Sequence, residues 1–183
     1  MKKGQIVLIA LVAAVLVYFG LIRTSELRLE TPDRVYWLKV PRTYLKTNTQ
    51  TQTQNSPWGP MLITIKSAES FFGNHGLVLS HFAMPEGSEA GRSEEQILRD
   101  GLEGAAGGMK GKISEPEELD FAGNLGMEAT YQGKYEGTPV YGIIRAFIID
   151  RDIIFLMSVD TDEEDGTSQR MIDYLDTIDY ESK

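Results

Sequence analysis

The clearest potential for chemistry in this sequence lies in its two histidines, His75 and His81. They are six residues apart, so a single β-strand would direct both side chains to the same face. Gly76 directly follows His75 and favours a turn at that point. A zinc site needs at least a third ligand, and the candidates Glu69 and Glu86 are near only in sequence. We therefore predict two structural or surface histidines and no metal-ligating residues.

A second candidate is the acidic segment 160–166, which reads DTDEEDG. An EF-hand loop numbered from Asp160 needs Gly at its sixth position and Glu at its twelfth, where this chain has Asp165 and Met171. Acidic residues before a helix are typical of a solvated loop at the positive end of the helix dipole. We predict such a loop, and a weak divalent-cation site at residues 160–165 stays open as an alternative.

The other motifs argue against an enzyme. A glycine-rich stretch ends in Gly111-Lys112, but a phosphate-binding P-loop continues with Ser or Thr and has Gly where this chain has Ala106. Ser88 lacks the Gly two residues earlier that a nucleophile elbow requires. The chain has no cysteine, which excludes thiolate nucleophiles, disulfides and iron–sulfur ligands. We predict no catalytic residue and no cofactor.

The charge balance narrows the classes of partner. The 183 residues include 18 Lys and Arg against 27 Asp and Glu, a formal charge of −9. A general nucleic-acid binder needs basic side chains that displace counterions from phosphates, so this class is excluded. Hydrophobic residues make up 42% of the chain, which is ordinary for a globular protein.

The N-terminus has the pattern of a membrane segment. Residues 5–22 carry no formal charge and follow two lysines. As a helix they would extend about 27 Å, close to the roughly 30 Å of a bilayer core. We predict a retained transmembrane signal-anchor at residues 1–23, with a cleaved signal peptide as the alternative. Ala10 and Ala14 have the spacing of small residues at helix contacts, and with Tyr18 they are candidate interface residues.

The part of the chain after the anchor is strongly acidic. Beyond residue 23 there are 15 basic and 27 acidic residues, a formal charge of −12. A short tail, one anchor and a long following domain are the usual layout of a signal-anchor protein. We expect a single-pass protein of the bacterial inner membrane, with a polar spacer at 24–34 and a periplasmic domain at 35–183.

Within residues 35–183 the hydrophobic pattern alternates between strand and helix periods. It predicts strands at 35–40, 61–67, 77–84, 113–121, 125–131, 140–149 and 153–159, and helices from Ser93 to about 106 and from 164 to 178. The most apolar pair, 140–149 and 153–159, should form a hairpin at the centre of the sheet. The sequence therefore predicts an α+β fold, with an antiparallel sheet flanked by helices.

Residues 46–60 form a Thr/Gln-rich insertion, KTNTQTQTQNSPWGP. Its polarity excludes it from a core, and it is either a flexible hairpin tip or, given its period of two, an exposed edge strand. Trp58 is the one large apolar side chain in this segment. We treat Trp58 as a fourth candidate interface residue, since aromatic anchors among polar groups suit protein interfaces.

Several segments resemble the PsbP-like superfamily: a first strand ending in proline (YWLKVP), a Gly-containing strand (LDFAGNLGMEATY), a hairpin (YGIIRAFIIDRDIIFLMSV) and a closing LDTIDY. The resemblance covers about residues 35–180 and implies an antiparallel sheet flanked by helices. Arg145 fits the Arg-bearing hairpin strand of that family.

The same resemblance implies a non-catalytic accessory role. We expect a subunit that stabilises or helps to assemble a membrane protein complex, for example a photosynthetic reaction-centre complex. The alternative is a periplasmic binding module for a small ligand or a divalent cation.

Overall fold

The computed structural model describes residues 24–41, 44–56, 59–70, 74–87 and 91–183. The strands in these ranges are β1 (Thr24–Glu30), β2 (Arg34–Pro41), β3 (Tyr44–Ser56), β4 (Gly59–Ser70), β5 (His75–Ala83), β6 (Lys112–Ile113), β7 (Glu117–Phe121), β8 (Asn124–Tyr135), β9 (Thr138–Ile149), β10 (Asp152–Asp160) and β11 (Asp179–Ser182). The helices are α1 (Glu94–Gly108), α2 (Glu163–Gly166) and α3 (Gln169–Leu175).

The predicted anchor at 1–23 lies outside the described residues, and so do its candidate interface residues Ala10, Ala14 and Tyr18. Trp58 is outside them as well. Across the ranges that the structure does describe, no helix has both the length and the apolar character needed to cross a bilayer.

An eight-stranded antiparallel sheet forms the middle layer, in the order β3-β4-β5-β10-β9-β8-β6, with β7 also paired to β8. The structure confirms the predicted hairpin of β9 and β10 near the centre of this sheet. Both of its strands are buried almost throughout. Strands covered on both faces read as nearly continuous apolar runs, which explains the pattern of residues 140–159. The α+β fold class is therefore confirmed for the described part of the chain.

A second sheet, β1-β2-β11, covers one face of the large sheet. Here the predicted spacer at 24–34 is wrong, because residues 24–30 form β1 and pair with β2 along its whole length. Leu27 and Leu29 alternate with polar and charged residues, and both are buried in the core. The polar residues that alternate with these leucines face solvent. Their number made the strand look like a polar linker in the sequence.

Helix α1 covers the other face of the large sheet and begins as predicted. The Ser93 side chain accepts a hydrogen bond from the Gln96 backbone N–H at 3.2 Å, which caps the helix. Gly101 is unfavourable for an isolated helix, but a Cβ at this position would lie 2.9 Å from the Phe155 ring. The glycine therefore lets α1 approach β10 closely, and packing compensates for its low helix propensity.

Two predicted elements are divided in the structure. The strand predicted at 113–121 is interrupted before Glu117 and forms β6 and β7. The helix predicted at 164–178 is likewise wrong as one element, because α2 ends at Gly166 and α3 starts after Ser168. Its predicted apolar residues Met171, Leu175 and Ile178 are nevertheless buried.

The Thr/Gln-rich segment forms β3, the outermost strand of the large sheet. It pairs with β4 in a long antiparallel ladder, and the side chains of residues 46–53 are all exposed. Of the two interpretations of this segment, the structure agrees with the exposed edge strand.

Candidate functional site

Two His–Asp pairs lie on the same face of neighbouring strands β5 and β10. The register places Asp160 opposite His75, and Ile154 opposite His81. Asp152 is two residues before Ile154 and so becomes the diagonal neighbour of His81. Because six residues of strand span about 20 Å, the two pairs occupy opposite ends of the same ladder. Both histidines thus share one face of a strand, as one of the sequence alternatives predicted.

The pair formed by His81 and Asp152 is closed by other side chains. Asp152 Oδ1 lies 2.9 Å from His81 Nε2, and its Oδ2 accepts a hydrogen bond from the Tyr36 hydroxyl at 3.1 Å. Arg34 adds a third contact, with Nη1 3.4 Å from the same Oδ2. The Tyr36 and His81 rings also stack, with centroids 6.2 Å apart. Both carboxylate oxygens are therefore used within this network.

The charges of this network follow from its contacts. Burial acts to raise the pKa of Asp152, but the hydrogen bond and charge of His81, with Tyr36 and Arg34, outweigh it and lower that pKa. Burial, and then the neighbouring Asp152 charge, raise the pKa of Tyr36 well above its ordinary value. Asp152 is thus held as a carboxylate and Tyr36 as a neutral hydroxyl that donates to it.

The pair formed by His75 and Asp160 has different neighbours. The Asp160 side chain is only 1% exposed and forms an ion pair with His75, whose side chain is 12% exposed. The contact joins Asp160 Oδ2 and His75 Nδ1. Asp160 Oδ1 accepts a hydrogen bond from the Asp162 backbone N–H at 2.8 Å. Both carboxylate oxygens of Asp160 therefore have a partner, as those of Asp152 do.

Asp165 completes this cluster. One ligand atom from each of His75, Asp160 and Asp165 lies within 4.8 Å of the other two. The segment predicted as a solvated acidic loop thus supplies one buried residue, Asp160, and one exposed residue, Asp165. Glu69 and Glu86, which are closer in sequence to the histidines, are not members of the cluster.

Local backbone contacts hold Asp165 in this position. The Asp162 side chain caps α2 by accepting hydrogen bonds from the N–H groups of Glu164 and Asp165 at 3.0 and 3.1 Å. Gly166 is buried, and a Cβ there would lie 2.5 Å from the Tyr141 carbonyl oxygen. Only glycine therefore allows α2 to lie this close to β9, and α2 in turn places Asp165 beside His75.

Arg170 on α3 lies beside the His75–Asp160 pair, with Nη2 3.4 Å from His75 Nε2, on the side of the ring away from Asp160. Tyr44 is buried close by. Burial, followed by Tyr174, raises the pKa of Tyr44, and Arg170 opposes this while Asp160 adds to it. One imidazole and two carboxylates thus lie next to a guanidinium.

Arg145, the residue that fits the PsbP-like hairpin, makes the contacts of a residue that stabilises the fold. Its side chain is 5% exposed and lies 2.6 Å from both Glu128 on β8 and Asp176 after α3. The guanidinium thus links the central hairpin to the end of α3. Such a pair fixes geometry, and removing one partner would leave an uncompensated buried charge.

No protein-family model and no curated protein matches the chain. Among solved structures, cyanobacterial PsbP (CyanoP) from Synechocystis sp. PCC 6803 aligns with a TM-score of 0.51 and 12% identity, over 87% of this chain and 95% of that one. The fold is PsbP-like.

Two further structures align with lower scores. LpqN of Mycobacterium tuberculosis, involved in cell envelope biogenesis, has a TM-score of 0.44 and 11% identity over 88% of this chain and 92% of its own. PA94 from Pseudomonas aeruginosa, a protein of unknown function, has a TM-score of 0.36 and 11% identity over 75% of this chain and 83% of its own. Identities this low concern the fold alone.

Proposed function

We propose that this chain is a non-catalytic accessory protein that stabilises or helps to assemble a membrane protein complex, for example a photosynthetic reaction-centre complex. In this proposal residues 5–22 anchor it in the bacterial inner membrane and the PsbP-like domain lies in the periplasm. The observation that carries the proposal is the open edge of the large sheet at β3.

Strand β3 offers a long surface for a partner. Its 13 residues extend about 44 Å, and its outer side carries backbone groups that no described strand pairs. An edge of this kind can accept an added strand through main-chain hydrogen bonds.

The composition of β3 also suits recognition. Natural edge strands are usually protected by charged residues or proline, which prevent unwanted pairing. Apart from Lys46 near its start, β3 contains neither, and its residues 47–53 present exposed Thr, Gln and Asn side chains instead. The edge is therefore polar enough to stay soluble, yet it lacks the features that would block a partner strand.

The test uses the full chain, extracted with its membrane in a mild detergent. We expect it to co-migrate with a large membrane complex on a native gel. Thr51→Lys should weaken this association several-fold, because it places a charge on the open edge. Thr130→Lys is the matched control, since Thr130 is also exposed but lies on β8, between paired neighbours. A strictly monomeric chain, or equal effects of the two variants, would contradict the proposal.

The alternative function, a periplasmic module that binds a divalent cation, is favoured by a different observation. It draws support from the cluster of His75, Asp160 and Asp165, and does not depend on the edge strand.

A further inference from the structure

We propose that β3 pairs with the β3 strand of a second copy of this chain, in an antiparallel arrangement with a two-fold axis at Thr51. The inference rests on the proposed function in taking β3 as the docking edge, and it goes further by naming the partner of that edge. The pairing joins the large sheets of the two copies into one, because β3 is the outermost strand of each.

The backbone of β3 is oriented for such a pair. Asn55 lies opposite Pro60 on β4, and Pro60 has no N–H to donate to β3. That pair is therefore of the non-hydrogen-bonded kind, so the N–H and C=O of Asn55 point away from β4. The ladder is regular from Lys46 onwards, and its alternation gives Thr51 the same outward direction. A two-fold axis at Thr51 lets its N–H and C=O bond to those of the other Thr51.

Two-fold symmetry also sets identical residues opposite each other, and the side chains of β3 suit this requirement. Residues directly opposite each other in an antiparallel pair point to the same face of the sheet. Residues 47–53 carry Thr at every odd position and Asn or Gln at every even one. An axis at Thr51 therefore sets Thr against Thr and amide against amide, and both kinds of pair can hydrogen-bond across the strands.

Charge favours a second copy at this edge as well. Beyond residue 23 the formal charge is −12, from 15 basic and 27 acidic residues, so two copies repel each other over most of their surface. Lys46 is the one charged residue of β3. With the axis at Thr51, the two Lys46 residues lie ten positions apart, about 33 Å, which is several Debye lengths at physiological salt. Two copies can therefore meet along β3 without like charges in contact.

The start of the described chain is compatible with two copies in one membrane. The axis is perpendicular to the large sheet, so it leaves the small sheets of both copies on the same face. Strand β1 belongs to the small sheet, and Thr24 of each copy therefore lies on that face. The anchors proposed for residues 5–22 can then enter the same bilayer.

The first experiment uses the absence of cysteine from the chain. Single cysteines are placed at each residue from 47 to 53 in the full chain, and the variants are oxidised in mild detergent. A residue on the axis lies about 5 Å from its counterpart, within reach of a disulfide, whereas residues two positions away are about 13 Å apart. We expect disulfide-linked dimers to peak at Thr51→Cys and to fall at least tenfold at Thr49→Cys and Thr53→Cys.

Thr130→Cys is the matched control, since Thr130 is exposed but lies on β8 between paired strands, and it should not cross-link. Equal yields along β3, a maximum at another residue, or no linked dimer at any position would overturn the proposal.

Charged variants provide a second readout. Thr51→Lys and Thr51→Glu each set two like charges against each other on the axis, so each should weaken the dimer at least tenfold in analytical ultracentrifugation. An equimolar mixture of the two variants should recover the dimer, because Lys then faces Glu. Unfolding temperatures equal to that of the parent check that both variants fold. A mixture that stays monomeric would overturn the two-fold pairing.

These outcomes separate the inference from the proposed function. A purified chain that is monomeric, while Thr51→Lys still weakens its co-migration with a membrane complex, would overturn self-pairing and leave the proposed function standing. A chain that cross-links at Thr51→Cys but co-migrates with no complex would support self-pairing and contradict the proposed function.

Discussion

The two His–Asp pairs at the ends of the β5–β10 ladder have the same residue types and different neighbours. At one end, Tyr36 and Arg34 from the small sheet reach Asp152 and complete its contacts. At the other end, the acidic loop brings a further carboxylate, Asp165, towards Asp160 and His75. The difference teaches that the neighbouring layer, and not the pair itself, decides which further groups surround a buried His–Asp pair: a hydroxyl and a guanidinium at one end, and a second carboxylate at the other.

The largest expected effect compares the same substitution at both pairs. Asp152→Asn should lower the free energy of unfolding by about 2–3 kcal/mol, because His81 and Arg34 lose a buried anionic partner. Asp160→Asn should cost less, about 1–2 kcal/mol, because the amide keeps an acceptor for the Asp162 N–H and only His75 loses a charged partner. Urea unfolding of both variants measures this difference, and equal losses would show that the two pairs are equivalent.

A smaller effect is expected from the glycine that lets α2 lie close to β9. Gly166→Ala should cost about 1–2 kcal/mol, because its Cβ would force α2 away from Tyr141. Gly104→Ala in α1 is the control, since a Cβ there meets nothing within 4 Å and should stabilise the helix by up to about 1 kcal/mol. Thermal unfolding of both variants tests this, and equal unfolding temperatures would count against the packing role of Gly166.

The smallest effect concerns acid stability of the closed pair. The pKa of Asp152 in the fold lies below its ordinary 3.8, so the unfolded chain takes up this proton first as pH falls. Its contribution to stability is therefore present above pH 3.8 and is lost as pH falls through the lowered pKa. Below about pH 4, the stability of Asp152→Asn should fall less steeply with pH than that of the parent. Glu164→Gln is the control, and its stability should fall more steeply with pH than that of Asp152→Asn. Identical slopes in Asp152→Asn and the parent would contradict this account.

Local signals in the sequence predicted much of the fold. The Ser93 cap, the apolar residues of α1 and the β9–β10 hairpin all follow from residues close together in the chain, and the structure confirms them. The strands β1 and β11 were missed because each is short and half polar, and each depends on contacts with distant parts of the chain, namely pairing with β2 and packing against the core. The break between α2 and α3 was missed because the apolar residues that predicted the helix, Met171, Leu175 and Ile178, all lie within or after α3, so their spacing says nothing about residues 163–168.

The candidate site could not be predicted from the sequence, because it depends on register. His75 and Asp160 belong to strands far apart in the chain, and a shift of one residue would turn one of them to the opposite face. The shared face of His75 and His81 was one stated alternative, and the acidic loop was already a candidate for cation binding. What the sequence lacked was the pairing of β5 with β10, which joins those two observations.

The most direct test of the contrast between the two pairs is a long-range proton–nitrogen NMR spectrum of the histidine rings in the parent chain and in Tyr36→Phe. The chain contains two histidines, so each pair reports through one ring. Tyr36 donates to Asp152 and stacks on His81. We predict that Tyr36→Phe shifts the ring nitrogens of His81 and leaves those of His75, identified by their loss in His75→Gln, in place. A shift of His75, or no shift of either ring, would contradict the account.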